Sequence, residues 1–244
     1  MRKKVILVLV ISIFCTYLWC DFELDFETGA IFTGYNDVRI PGDEGTLFSL
    51  KDDLETDVEP FFRTRLNYHF NPKHHISLLY APLVLEAKGK SDKEIIYQNM
   101  VFPTGTDLTA TYKFNSYRVT YRYDFIRKTE ITFGMGFTAK IRDAVISLKS
   151  DDNEAEKDNI GFVPILNFRL EWKVINPFIV IFEGDALAAP QGRAEDIALG
   201  LKYRLSPKWG MRLGYRLLEG GADNDEVYTF SFFHYAVLGV NYRF

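Results

Sequence analysis

The chain has 244 residues, 47% hydrophobic and 25% charged, a balance that excludes a disordered or collagen-like polymer. Its 29 Lys and Arg against 33 Asp and Glu give a formal charge of −4, so no basic footprint points to nucleic acid. Aromatics are the departure: 21 Phe, 14 Tyr and 3 Trp make up 16% of the chain.

Residues 1–20 read as an export signal. Arg2, Lys3 and Lys4 form a positive start, and Val5 to Leu18 an apolar stretch too short for an ordinary spanning helix and charged on one side only. Cleavage after Cys20 leaves Asp21 as the new N-terminus and removes both cysteines, Cys15 and Cys20. Acylation of Cys20 is the competing reading, and the bulky Trp19 before it argues against that. A mature chain without thiols has no disulfide, no thiolate metal site and no cysteine nucleophile. Beyond Asp21 no apolar run reaches the roughly 18 residues of a spanning helix, and residues 21–244 read as one domain.

Alternation with a period of two fills that domain. Successive strand side chains point to opposite faces, so strict alternation reports two environments. In chain order, Ile131, Phe133, Met135, Phe137 and Ile141 oppose Thr132, Gly134, Gly136, Lys140 and Arg142. Leu166, Phe168, Leu170 and Trp172 oppose Asn167, Arg169 and Glu171. Ile197 to Leu205 and Trp209 to Leu217 repeat the pattern, and five Tyr-Arg dipeptides, at 117, 121, 203, 215 and 242, state it compactly. Large apolar groups outward, with small and charged groups inward, describe a membrane β-barrel. A soluble lipocalin-like barrel needs the faces exchanged, and periodicity alone does not tell inside from outside.

Turn chemistry supplies a topology. Tight reversals are predicted at Asn71 to His74, Asp124 to Lys128, Asn176-Pro177 and Ser206 to Lys208, because Pro and Asn preset turn dihedrals and do not continue a ladder. Longer, charged or Gly-rich connections are predicted over residues 40–58, 89–109, 150–159, 189–194 and 219–229. Four short turns at one rim and five longer loops at the other predict a closed antiparallel up-and-down barrel of about ten strands, with eight or twelve also compatible. Ile95 to Phe102 reads either as a hairpin above the membrane or as an additional spanning pair.

The last strand carries the most specific motif. Ala236, Leu238, Val240, Tyr242 and Phe244 share one face, and Val237, Gly239, Asn241 and Arg243 the other. A terminal Phe on an alternating strand resembles the assembly signal of bacterial outer-membrane β-barrel proteins. The resemblance covers the architecture of the mature chain and implies a Gram-negative outer-membrane location. It also implies contact with outer-membrane lipid and lipopolysaccharide, and engagement of the barrel-insertion machinery through Val240, Tyr242 and Phe244. No subfamily follows from it.

Facing the polar rows inward encloses Arg63, Arg65, Lys88, Arg118, Arg122, Lys140, Arg142, Arg169, Lys202, Arg204, Arg212, Arg216 and Arg243 with Glu23, Asp25, Glu27, Glu86, Glu171, Glu183, Asp185 and Asp196. Unpaired ions in a narrow lumen are costly, so an ion-pair network filling the interior is expected. The chain is too short for the roughly 16–18 strands of a water-filled porin. Among the histidines, His69, His74 and His75 fall at the short-turn rim. His234, near Asp223, Asp225 and Glu226 with Ser231 three residues away, is the one candidate for a rim-located lipid or peptide hydrolase. The acidic loop Gly220 to Glu226 lacks the length and closing Glu of an EF-hand, so no metal and no cofactor is expected. The favoured function is a monomeric, non-enzymatic barrel, structural or surface-interacting, or a narrow solute conduit. The rim hydrolase and a soluble periplasmic carrier of an apolar ligand are the alternatives.

Overall fold

The structure, a computed structural model, describes residues 21–190 and 192–244; the leader expected over 1–20 lies outside the described residues. Fifteen strand segments follow in order: β1 (Asp21–Arg39), β2 (Phe48–Ser49), β3 (Glu55–Thr56), β4 (Glu59–Asn71), β5 (His74–Ala81), β6 (Val84–Lys90), β7 (Ile95–Tyr97), β8 (Met100–Phe102), β9 (Asp107–Arg127), β10 (Ile131–Lys149), β11 (Glu154–Ile175), β12 (Phe178–Ala189), β13 (Gly192–Arg204), β14 (Trp209–Asp223) and β15 (Tyr228–Arg243). Hydrogen bonding runs β10-β11-β12-β13-β14-β15-β1-β4-β5-β9, and β9 pairs β10 to close the ring. That is a ten-stranded antiparallel meander. β6 continues β5 along β9 past a break at Pro82, where proline has no N–H to give the ladder.

Closure places the apolar rows outside. Phe26, Phe62, Leu78, Val119, Phe137, Phe182, Leu199, Leu213 and Leu238 are all exposed, while Asp25, Glu27, Arg63, Arg118, Glu183 and Arg216 are buried. Aromatic rings cluster at the lower edge of this band, as in the pairs Trp209–Tyr242 (4.6 Å), Phe178–Tyr203 (5.2 Å) and Tyr68–Phe70 (4.4 Å). Amphipathic rings of this kind mark a lipid–water boundary. A bulge between Thr33 and Tyr35 reverses the parity of β1. Ile31 faces inward below it, and Asn36 and Val38 face inward above it.

Several sequence expectations need correcting at the ends of the strands. The stretches predicted as loops over 150–159, 189–194 and 219–229 are shorter than expected, with β10 reaching Lys149, β11 starting at Glu154, β12 reaching Ala189, β13 starting at Gly192, β14 reaching Asp223 and β15 starting at Tyr228, because the ladders continue through charged and Gly-containing residues. β9, β10 and β11 reach 21, 19 and 22 residues, twice the roughly 9–11 that a tilted strand needs to cross hydrocarbon. The turn after β9 lies over 128–130 rather than 124–128, and Asp124 is a buried strand residue. Ile95 to Phe102 forms the separate β7–β8 hairpin, not a spanning pair. Lys88 and Glu86 face outward and pair with each other at 2.5 Å in water. Hydrogen bonding to Glu86 pushes the Lys88 ammonium above its ordinary range.

Candidate functional site

The interior has three layers stacked along the barrel axis, and the sequence anticipates only the middle one. Inward-facing residues of eight strands meet there. Asp196 accepts from Arg63 at 2.9 Å, from Arg118 at 2.7 Å and from Arg216 at 2.5 Å. Glu27 takes Arg216 at 2.9 Å, Arg63 at 3.3 Å and also Arg212. Glu183 takes Arg65 at 3.3 Å, Arg212 and Arg216 at 3.5 Å each, and also Arg169. Asp185 completes the set, held by Arg118 at 2.7 Å, the Thr138 hydroxyl at 2.7 Å and the Asn167 amide at 2.9 Å. The side chains of Arg118, Asp196 and Arg216 are 2%, 3% and 1% exposed, so nothing resembling a water column passes them. Because each guanidinium bridges carboxylates from different walls, the network cross-links the barrel through its middle. Gaps of about 10 Å³ beside Glu27 and Arg63 have room for one water molecule at most, too small for a path.

Not every predicted lumen residue joins this septum. Lys140 is buried but packs over the Phe114 ring, 4.7 Å from its centroid. Arg142 donates to Asn159 instead of to a carboxylate. Lys202 lies 4.0 Å from Glu23, and Arg122 pairs with Asp124 at 3.2 Å. Arg169 also holds Glu171 at 2.7 Å. Arg243 forks onto Asp21 at the rim, where Arg204 is exposed.

Above the septum, at the long-loop end, the interior turns apolar. The inward row of β15 changes from Asn241 and Gly239 to Val237, Tyr235 and Phe233, all three nearly inaccessible. The segments 40–58 and 91–106 fold down onto this row. Val38, Ile40, Phe48, Leu50, Ile95, Tyr97, Phe102 and Leu148 are each at most 2% exposed within one continuous cluster. The ring of Phe48 meets Tyr97 edge-on at 6.0 Å, and the Tyr97 hydroxyl donates to the Ile146 carbonyl at 2.7 Å. The two segments are tied by Gln98 N–H to Ile40 O and Thr46 N–H to Ile96 O, 2.9 Å each. Sequence reasoning missed this cap because long connections rich in charge read as solvated loops. The apolar positions Ile40, Phe48, Leu50, Ile95, Tyr97 and Phe102 inside them were the available signal.

Below the septum, at the short-turn end, the barrel opens into a vestibule of about 810 Å³ lined by the rims of most strands. His69 and His75 share an Nδ1–Nδ1 hydrogen bond of 2.6 Å there, and His75 Nε2 meets Asp124 at 2.8 Å.

The hydrolase constellation does not assemble. His234 sits on the outer face beside Tyr215, its Nδ1 2.5 Å from the phenol oxygen, and its ring packs 4.2 Å from Phe232. His234 lies across from Leu217, whereas Asp223 lies across from Tyr228, six residues further along the ladder and about 20 Å away. Asp225 and Glu226 are in the tip beyond, with Glu226 3.9 Å from Lys157. Ser231 faces the interior, 2.9 Å from the Tyr112 hydroxyl.

In the C-terminal strand, Val240 and Phe244 are exposed on the outer face, and Tyr242 packs between Trp209 and Phe244. The strand closes the barrel by pairing β1, with Arg243 opposite Glu23.

No family model matches the chain, and no curated protein matches it. Solved structures do. The outer membrane protease OmpT from Escherichia coli superposes with a TM-score of 0.54 at 9% identity, over 92% of this chain and 97% of that one. The translocator domain of autotransporter NalP from Neisseria meningitidis gives 0.48 at 9% identity, over 100% and 95%. Ail, the attachment invasion locus protein of Yersinia pestis, gives 0.40 at 11% identity, over 92% and 99%. At such identities the likeness is one of fold. With its continuous outward band of Phe26, Phe62, Leu78, Val119, Phe137, Leu199, Leu213 and Leu238, the chain has the closed antiparallel fold of outer-membrane β-barrel proteins.

Proposed function

We propose that this chain is a non-enzymatic, sealed outer-membrane barrel that holds a rigid β-structured platform at the cell surface, rather than a conduit. The observation that carries the reading is the double closure, an ionic septum with an apolar cap directly above it. A conduit needs a lumen that solute can enter from both sides, and here the vestibule opens at the short-turn rim and is floored by the septum. The platform is the upper halves of β9, β10 and β11 with the folded segments 40–58 and 91–106, which stand beyond the lipid-facing band. OmpT is a protease, but His234, the one candidate for hydrolysis in this chain, faces outward, away from Asp223 and Ser231. Proteoliposome swelling tests the proposal. Vesicles carrying the refolded barrel should take up arabinose and glycine no faster than protein-free vesicles, and uptake that rises with protein content would refute it.

A further inference from the structure

The vestibule at the short-turn rim has a charge opposite to that of the chain. Eight of its lining residues are Lys or Arg and four are Asp or Glu, in a molecule whose formal charge is −4. The four acids are already engaged: Asp21 by Arg243, Glu23 by Lys202, Asp124 by Arg122 and His75, and Glu171 by Arg169. Lys173, Arg204 and Lys208 line the same cavity, are exposed, and have no carboxylate partner among the described residues. They come from three elements, the ends of β11 and β13 and the turn before β14, whose backbones are hydrogen-bonded to adjoining turns or to the end of β15. Lys173 N–H donates to Glu130 O at 2.7 Å, Arg204 N–H to Pro177 O at 3.1 Å, and Arg243 N–H to Lys208 O at 2.9 Å. The cations are thus carried on fixed ladder ends. A concave, low-dielectric wall concentrates their field in the cavity. The floor is the septum, whose buried Arg169 donates to Glu171 and Glu183 and keeps the cup shut. About 810 Å³ lies within the range of small-ligand sites.

We infer that this vestibule binds a small polyanion, a molecule carrying two or more carboxylate or phosphate groups, presented from the periplasmic side. Guanidinium forks match either group bidentately, while the ammonium groups of Lys173 and Lys208 act as point charges. The inference is independent of what the cell-surface platform does.

Isothermal titration of the full refolded barrel in detergent tests it with two probes, pyrophosphate and citrate. Binding of either at low salt, weakening as sodium chloride rises from roughly 50 to 200 mM, is the expected result. Stronger binding of pyrophosphate assigns a phosphorylated ligand, and stronger binding of citrate a carboxylated one. The triple variant Lys173→Glu, Arg204→Glu, Lys208→Glu should bind at least about tenfold more weakly, and Arg204→Gln alone a few-fold more weakly, with unchanged heat-modifiable mobility as the check on folding. No heat with either probe would overturn the site. So would undiminished affinity in folded Arg204→Gln and in the triple variant.

Discussion

The middle and upper layers of the interior solve the same problem with opposite chemistry. In the middle layer the barrel wall supplies guanidiniums and carboxylates from opposite sides, and closure comes from pairing them. In the upper layer the wall supplies Val237, Tyr235, Phe233 and Leu148, and closure comes from two chain segments packed onto them. The ionic layer is built by strands already fixed by the ladder, so its charges are held apart and aligned at little further entropic cost. The apolar layer is built by connections that must themselves be ordered, and burial of side chains such as Phe48, Tyr97 and Phe102 offsets that cost. Pairing ions across the lumen therefore depends on every partner being present, whereas the cap tolerates graded loss.

The largest test of that contrast is Arg216→Ala. It strands Glu27, Asp196 and Glu183 without one of their cations, and should cost about 3–5 kcal/mol in urea unfolding from lipid vesicles, followed by Trp172 and Trp209 fluorescence. A cost below about 1 kcal/mol would mean that the septum relaxes around the gap. Truncating the cap by Phe102→Ala should cost roughly 3 kcal/mol through the cavity it leaves, measured the same way. An unchanged midpoint would show the cap to be loosely packed. Leu213→Arg places a charge within the outward band and should cost about 2–3 kcal/mol. A neutral result there would place the bulky rows somewhere other than lipid. Smallest of all is Arg193→Ala. It removes a pair, exposed on the Arg193 side, with Glu219, 2.5 Å apart, and should move stability by no more than about 1 kcal/mol, less at high salt.

Much of this architecture was legible before any coordinates. Alternation fixes which residues share a face, Pro and Asn mark three of the four short turns, and the guanidinium rows name the septum in advance. Strand length was not legible above the membrane. Residues 154–159 and 219–223 read as loops because charge and glycine accompany water as readily as they accompany irregular backbone. The cap was hidden for a related reason. Ile40, Phe48 and Tyr97 stand in segments with no period of two, and only the third dimension brings them beneath one another. Lys88 faces outward against expectation because β6 resumes after Pro82 with Leu85 and Ala87 turned into the apolar cluster, which puts Glu86 and Lys88 on the opposite, exposed face.

Current through a planar bilayer probes the sealed interior most directly. Refolded full-length barrel should give no discrete conductance steps at ±100 mV, and a variant lacking residues 91–106 should remain silent as well, since the guanidinium–carboxylate layer alone blocks the lumen. Regular steps from the unmodified protein would contradict the account.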